Sequence, residues 1–275
     1  MASLRTRRLR MGLGTLLGGR RQGFFIPYRY ADGVVPPAGY PAVETLFAAA
    51  EPAFATVLDA IDGLAEELAA IGGPAPAPRW EQDWFPRLDG AAAYALARTA
   101  PPGRIVEVGS GHSTRFLARA VAAAGAETRQ TCIDPAPRAA LLDLPVDWRE
   151  ELLSEAHLPL FEALEPGDMA VFDSSHLLHP GTDVDLILNA ILPSLARGVL
   201  VHVHDVFLPD GYPADWEWRG YAEQNGLAPW LLSGAFAPVF ASHYAARRMG
   251  AGARPGVARL PWAGAPESSL WMRRA

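Results

Sequence analysis

From residue 104 onward, short apolar runs alternate with stretches of helical spacing. The runs 104–109, 128–134, 168–173 and 198–205 read as strands, with a weaker one at 146–149. Between them, 113–124 and 183–195 keep helical spacing, and Thr182 and Asp185 are spaced as a capping box for the second. A Trp-rich helix is predicted over 213–232, then strands over 238–244 and 268–273. This alternation predicts an α/β fold with a parallel sheet covered on both faces.

Upstream the pattern changes. Phe54, Val57, Leu58, Ile61, Leu64, Leu68 and Ile71 share one helical face, with Pro52 placed for the first turn and Gly72-Gly73 for the end. Pro74-Ala-Pro-Ala-Pro78 makes a stiff connector, and a further helix is expected over 88–98. The boundary is placed there: 1–78 as a basic arm and helical extension, 79–275 as the sheet domain. Residues 1–30 hold seven Arg and no acid; residues 31–78 hold seven acids and no Arg. The expected role of the basic arm is to lie against that acidic stretch, in its own chain or in a homo-oligomer, with a membrane-surface or targeting segment as the alternative reading. The cluster Phe24, Phe25, Ile26, Tyr28 and Tyr30 is expected to be a packing anchor.

Composition narrows the function classes. With 275 residues, half of them hydrophobic, the chain can bury a large core. Cys132 is the single cysteine, so no intrachain disulfide forms and a reducing, cytoplasmic compartment is expected. The net charge of -6 speaks against a general nucleic-acid binder, and no apolar run is long enough for stable membrane insertion. All 24 basic residues are Arg, which removes catalytic lysine chemistry.

In an open parallel sheet, ligands bind beyond the carboxyl ends of the strands. Those ends carry Glu107, Gly109, Ser110, Gly111 and His112; then Asp134; then Asp173-Ser-Ser-His176; then His204-Asp205. Glu107 sits two residues before Gly109, and Thr114 stands where a dinucleotide fingerprint has its third glycine. A carboxylate at that turn suits a ligand with an ammonium group better than a pyrophosphate. Asp134 suits bonds from ribose hydroxyls.

The run Glu107-Val-Gly-Ser-Gly-His-Ser-Thr114 resembles motif I of the class I S-adenosylmethionine-dependent methyltransferases. Over about 84–273 the order continues through Ile133-Asp134-Pro135, Asp173-Ser-Ser-His176, Gly181-Thr-Asp183 and His204-Asp205-Val-Phe-Leu-Pro209, and resembles a bacterial small-molecule methyltransferase group. The resemblance implies a Rossmann-like sheet, mostly parallel with an antiparallel last strand. It also implies S-adenosyl-L-methionine as cofactor, held by Glu107, Gly109, Ser110, Gly111, His112, Asp134 and Asp173, and a small-molecule acceptor.

O-methylation needs an aligned nucleophile and a base for its proton. His176 is the expected base, with Asp173 beside it and His204 as the rival. His202 shares a strand face with His204 and reads as a buried, hydrogen-bonded side chain. His179 and His243 read as surface or packing residues. Related sugar O-methyltransferases bind magnesium through acids at comparable positions, which makes Asp173, His204 and Asp205 candidate metal ligands. An imidazole at 204 would suit zinc, manganese or iron better than magnesium. The alternatives are a nicotinamide-dependent oxidoreductase and a cofactor-binding scaffold without catalysis.

Overall fold

In a computed structural model, residues 4–139, 141 and 143–275 are described. They divide into two compact units, Met1–Pro37 and Ala38–Ala275. The compact division thus lies upstream of the proline connector at 74–78. The first unit carries the helix Leu4–Leu16 and a short helical turn at Ala31–Gly33.

The second unit is built on seven strands: β1 Arg104–Val108, β2 Arg129–Ile133, β3 Val146–Arg149, β4 Met169–Phe172, β5 Leu200–Val203, β6 Phe236–Ala241 and β7 Leu270–Arg274. Their order is β3-β2-β1-β4-β5-β7-β6. β1 to β5 are mutually parallel, while β7 runs antiparallel to both β5 and β6. This is the Rossmann-like sheet with an antiparallel last strand. The strands β1, β4 and β5 are apolar on both faces because helices cover both, and Ile105, Val171 and Val201 are fully buried. The order reverses between β1 and β4, which opens a crevice at their carboxyl ends.

Three expected elements come out differently. The helix expected from Pro52 begins at Pro41 and runs to Gly63, with Pro52 inside it. Val43 and Phe47 extend the buried stripe upstream, and their burial with Phe54 and Ile61 outweighs the cost of an interior proline. The stretch expected to continue to Gly72 instead restarts as Ala65–Ala69 after Leu64. The Trp-rich segment is two elements: a 3-10 helix Ala214–Arg219 and a helix Glu223–Leu232, separated by Gly220 in a left-handed conformation. The strand expected over 238–244 ends at Ala241 and turns into the helix Ser242–Arg248. The segment 183–194 is helical as expected, with Thr182 Oγ1 accepting the Asp185 N–H and a π-helical turn at Ile187–Ile191. Among the described residues, no helix is long and apolar enough to cross a membrane.

Candidate active site

The turn after β1 forms the floor of the site. Gly109 has φ of 78°, and a Cβ there would lie 1.7 Å from the Asp173 carbonyl oxygen. The glycine lets the β1 and β4 ends touch through backbone. Gly111 opens the helix His112–Ala124, and its N–H donates to Thr114 Oγ1 at 2.9 Å. The hydroxyl of Thr114 caps the turn where a dinucleotide site has its third glycine.

Glu107 is fully buried beneath this turn, accepting from Ser113 Oγ at 2.6 Å and Gln130 Nε2 at 3.1 Å. Burial pushes its carboxyl up to about 7, against the pull of those donors. His112 is also buried, its ring stacked on Trp84 at 5.8 Å and 15°. Burial and the nearby Arg115 charge push its imidazole down to about 4. Glu107, Gly111 and His112 therefore shape the turn from behind rather than lining the cleft in front of it.

That cleft, of 420 Å³, is lined by Gly109, Ser110, Asp134, Asp173, Ser174 and Asp183, among others. Of the seven residues expected to hold a cofactor, the structure brings Gly109, Ser110, Asp134 and Asp173 to this wall. Asp134 accepts the Ser110 N–H at 2.6 Å and the Ala136 N–H at 2.7 Å, which leaves it half-exposed at the rim with further lone pairs free. Among the described residues, the Ser110 and Ser174 hydroxyls are buried without a hydrogen-bond partner. Buried polar atoms are normally paired, so both hydroxyls in this wall have hydrogen-bonding capacity to spare.

Beyond Asp173 lies a smaller pocket of 120 Å³, walled by Asp173, His204, Asp205, Trp84, Trp216 and Arg219, among others. The Arg219 guanidinium lies 3.7 Å over the Trp216 ring. Asp173 thus belongs to the walls of both cavities.

Two buried imidazoles stand at this junction, and they differ in what their nitrogens do. His176 Nδ1 is 2.8 Å from Glu223 Oε2, and Nε2 is 3.2 Å from Asp173 Oδ1 and 3.4 Å from Asp205 Oδ2. Both ring nitrogens face carboxylates, and His176 lines neither cavity. His204 Nε2 is 3.3 Å from Asp89 Oδ2, while Nδ1 stands 3.7 Å from Asp173 and 3.5 Å from Asp205. Nε2 can donate to Asp89, while Nδ1 faces Asp173 and Asp205, which line the smaller pocket with His204. Burial would lower both imidazoles, but the surrounding carboxylates raise both well above 6.5. Burial would raise Asp173, and the two histidines outweigh it, holding the carboxyl below its ordinary range. His176 and Asp205 both carry positive φ, 59° and 55°, uncommon for such residues and a reason to look for function.

Glu223 and Asp89 are fully buried partners that sequence reasoning assigned no role. Glu223 lies 47 residues from His176, in a helix start that no local signal marks. Asp89 also accepts from Ser242 Oγ and the N–H groups of Ser268 and Ser269, so it ties the helix Arg87–Thr99 to the β7 approach. The expected ligands Asp173, His204 and Asp205 do come together. They close on one another as ion pairs, and among the described residues no group of three or more His, Cys, Asp or Glu is arranged to hold a metal ion. His202 is buried and hydrogen-bonded to Ser269 Oγ at 2.9 Å, and His243 pairs with Asp210.

The family model for a methyltransferase domain matches residues 106–206, from within β1 to just past β5, including the ends of β1, β2, β4 and β5. No match was found among curated proteins. Among solved structures, the chain is similar to the cofactor-bound protein Rv0187 from MTB, at 18% identity over 81% of this chain and 89% of that one, with a TM-score of 0.41. It is similar to a putative O-methyltransferase from Klebsiella pneumoniae, at 16% identity, 79% and 89% coverage and a TM-score of 0.41. An O-methyltransferase from Bacillus cereus in complex with SAH gives 13%, 80%, 91% and 0.42.

Proposed function

We propose that this chain transfers a methyl group from S-adenosylmethionine to a hydroxyl of a small molecule. The observation that carries the reading is the shared wall: Asp173 lines both the 420 Å³ cleft and the 120 Å³ pocket. A methyl donor in the first and an acceptor in the second would meet at that carboxylate.

The cleft residues fit the cofactor. Asp134 stands at the carboxyl end of β2, where ribose hydroxyls can donate to it. Ser110 and Ser174 offer buried hydroxyls that lack partners. When bound, the cofactor supplies an electrophilic methyl on sulfur. The protein's part is alignment and proton removal.

For the proton, we favour His204 over His176. His204 lines the acceptor pocket together with Asp173 and Asp205, and Asp89 lies behind its Nε2. It acts as a base once the proton that those carboxylates hold on it is lost at higher pH. The arrangement matches a carboxylate-oriented imidazole base. His176 lines neither cavity and pairs with Asp173, Asp205 and Glu223, so it holds Asp173 and Asp205 in place instead.

The reading is tested by calorimetry with S-adenosylhomocysteine and with NAD. Binding of the first in the micromolar range and none of the second is expected; the reverse would establish a nicotinamide site. A cofactor-binding scaffold without catalysis would bind the first yet transfer no tritiated methyl to any of a panel of hydroxylated small molecules.

A further inference from the structure

We propose that the basic arm, residues 4–30, docks the protein onto an anionic lipid surface. The helix Leu4–Leu16 and the residue after it present Leu9, Leu13, Leu16 and Leu17 at spacings of four, three and one, which place them on one face. All four are exposed, at 64%, 47%, 57% and 81%. After the turn at Gly18, Phe25 and Ile26 add exposed apolar surface at 65% and 67%. An apolar face left open on a short helix needs an apolar partner.

Charge says which partner. The arm carries Arg5, Arg7, Arg8, Arg10, Arg20, Arg21 and Arg29, and the first carboxylate in the chain is Asp32. Arg21 lies 4.5 Å over the Phe24 ring, and Arg29 lies 5.6 Å over the Tyr30 ring, so guanidinium and aromatic faces are presented together. The acids of 38–78 have partners within the second unit. Glu44 pairs with Arg248, Asp59 and Asp62 with Arg254, Glu66 with Arg259 and Glu67 with Arg98; Glu51 accepts from Tyr244.

In a second copy the same acids would already hold these partners. A nucleic acid would take the arginines but has no use for a leucine face. A bilayer with acidic headgroups accepts both, with the leucines and Phe25-Ile26 at the acyl boundary and the guanidinium groups among the headgroups. At 13 residues the helix is too short to span and would lie in the interface plane.

The test is co-sedimentation of the full chain with vesicles of phosphatidylcholine alone and of phosphatidylcholine with phosphatidylglycerol. Binding about tenfold stronger to the anionic vesicles is expected, weakened by salt. The double variant Leu13→Asp with Leu16→Asp keeps every arginine and should lose that binding, while the thermal melt of the sheet unit stays unchanged. Equal binding to both vesicles overturns the proposal. So does anionic binding that survives in the variant, matched by equal binding to duplex DNA, which would make the arm a plain polycation. A concentration-dependent dimer that dissociates in the variant, without vesicle binding, would assign the leucine face to a second copy.

Discussion

Gly109 and Asp173 meet backbone to backbone: a single added methyl on the glycine would stand 1.7 Å from the aspartate's carbonyl oxygen. The contact sets how far apart the ends of β1 and β4 lie. Gly109→Ala must either push β4 away or abandon φ of 78°. The expected cost is at least about 3 kcal/mol, read as a lower urea midpoint, with S-adenosylhomocysteine binding lost. A variant that melts and binds as the parent does would show that the turn relaxes freely.

Asp134 is the residue on which cofactor affinity should depend most simply. Asp134→Ala is expected to weaken S-adenosylhomocysteine binding by about 1.5–3 kcal/mol in calorimetry. The aspartate also receives the Ser110 and Ala136 N–H groups, so part of that loss comes through the turn. Asp134→Asn keeps an acceptor and should lose less.

Glu107 makes stability depend on pH. In the fold its carboxyl is pushed up to about 7 by burial, from an ordinary value of 4.5. The unfolded chain therefore releases this proton first, and the contribution present at low pH is lost as pH climbs from 4.5 to about 7. Glu107→Gln should remove that slope, making the protein about 2–3 kcal/mol less sensitive to the change from pH 5 to pH 8. Urea titrations at the two pH values decide it; parallel behaviour of variant and parent would mean that Ser113 and Gln130 keep the carboxylate charged.

The two histidines should separate kinetically once an acceptor is in hand. His204→Ala is expected to cost about 10²–10⁴ in turnover with cofactor affinity little changed. His176→Ala and Glu223→Gln should cost less, because they act through Asp173 and Asp205. Since the carboxylates around His204 keep its proton on above pH 6.5, the rate should still be rising with pH beyond that value. Full turnover by His204→Ala beside a dead His176→Ala would move the base to His176.

Dialysis against a chelator should leave S-adenosylhomocysteine affinity and turnover unchanged. Loss of turnover that returns with manganese or zinc would instead place an ion among Asp173, His204 and Asp205.

Much of the sheet could be read in the chain, since β1, β4 and β5 are short, mostly apolar runs leading to Gly109, Asp173 and Asp205 and are buried on both faces. In contrast β3, Val-Asp-Trp-Arg at the sheet edge, is largely exposed and left only a weak pattern. The same local logic failed where long-range packing decides. Val43 and Phe47 draw the long helix upstream past Pro52, and Gly220 breaks the Trp-rich segment in two. At the site, strand ends announced Asp134 and Asp173. They could not show that Glu107 turns inward to Ser113 and Gln130, or that Glu223 and Asp89 reach the histidines from distant helices. Which nitrogen of an imidazole is occupied is a property of three-dimensional neighbours and leaves no trace in spacing.

Asp173 also makes the two cavities thermodynamically answerable to each other. A ligand that shifts this one side chain from the cleft side alters the pocket by the same act. Linkage then requires the acceptor to alter cofactor affinity by an equal factor. The spent cofactor would accordingly regulate how readily the next acceptor is admitted, without a separate regulatory site.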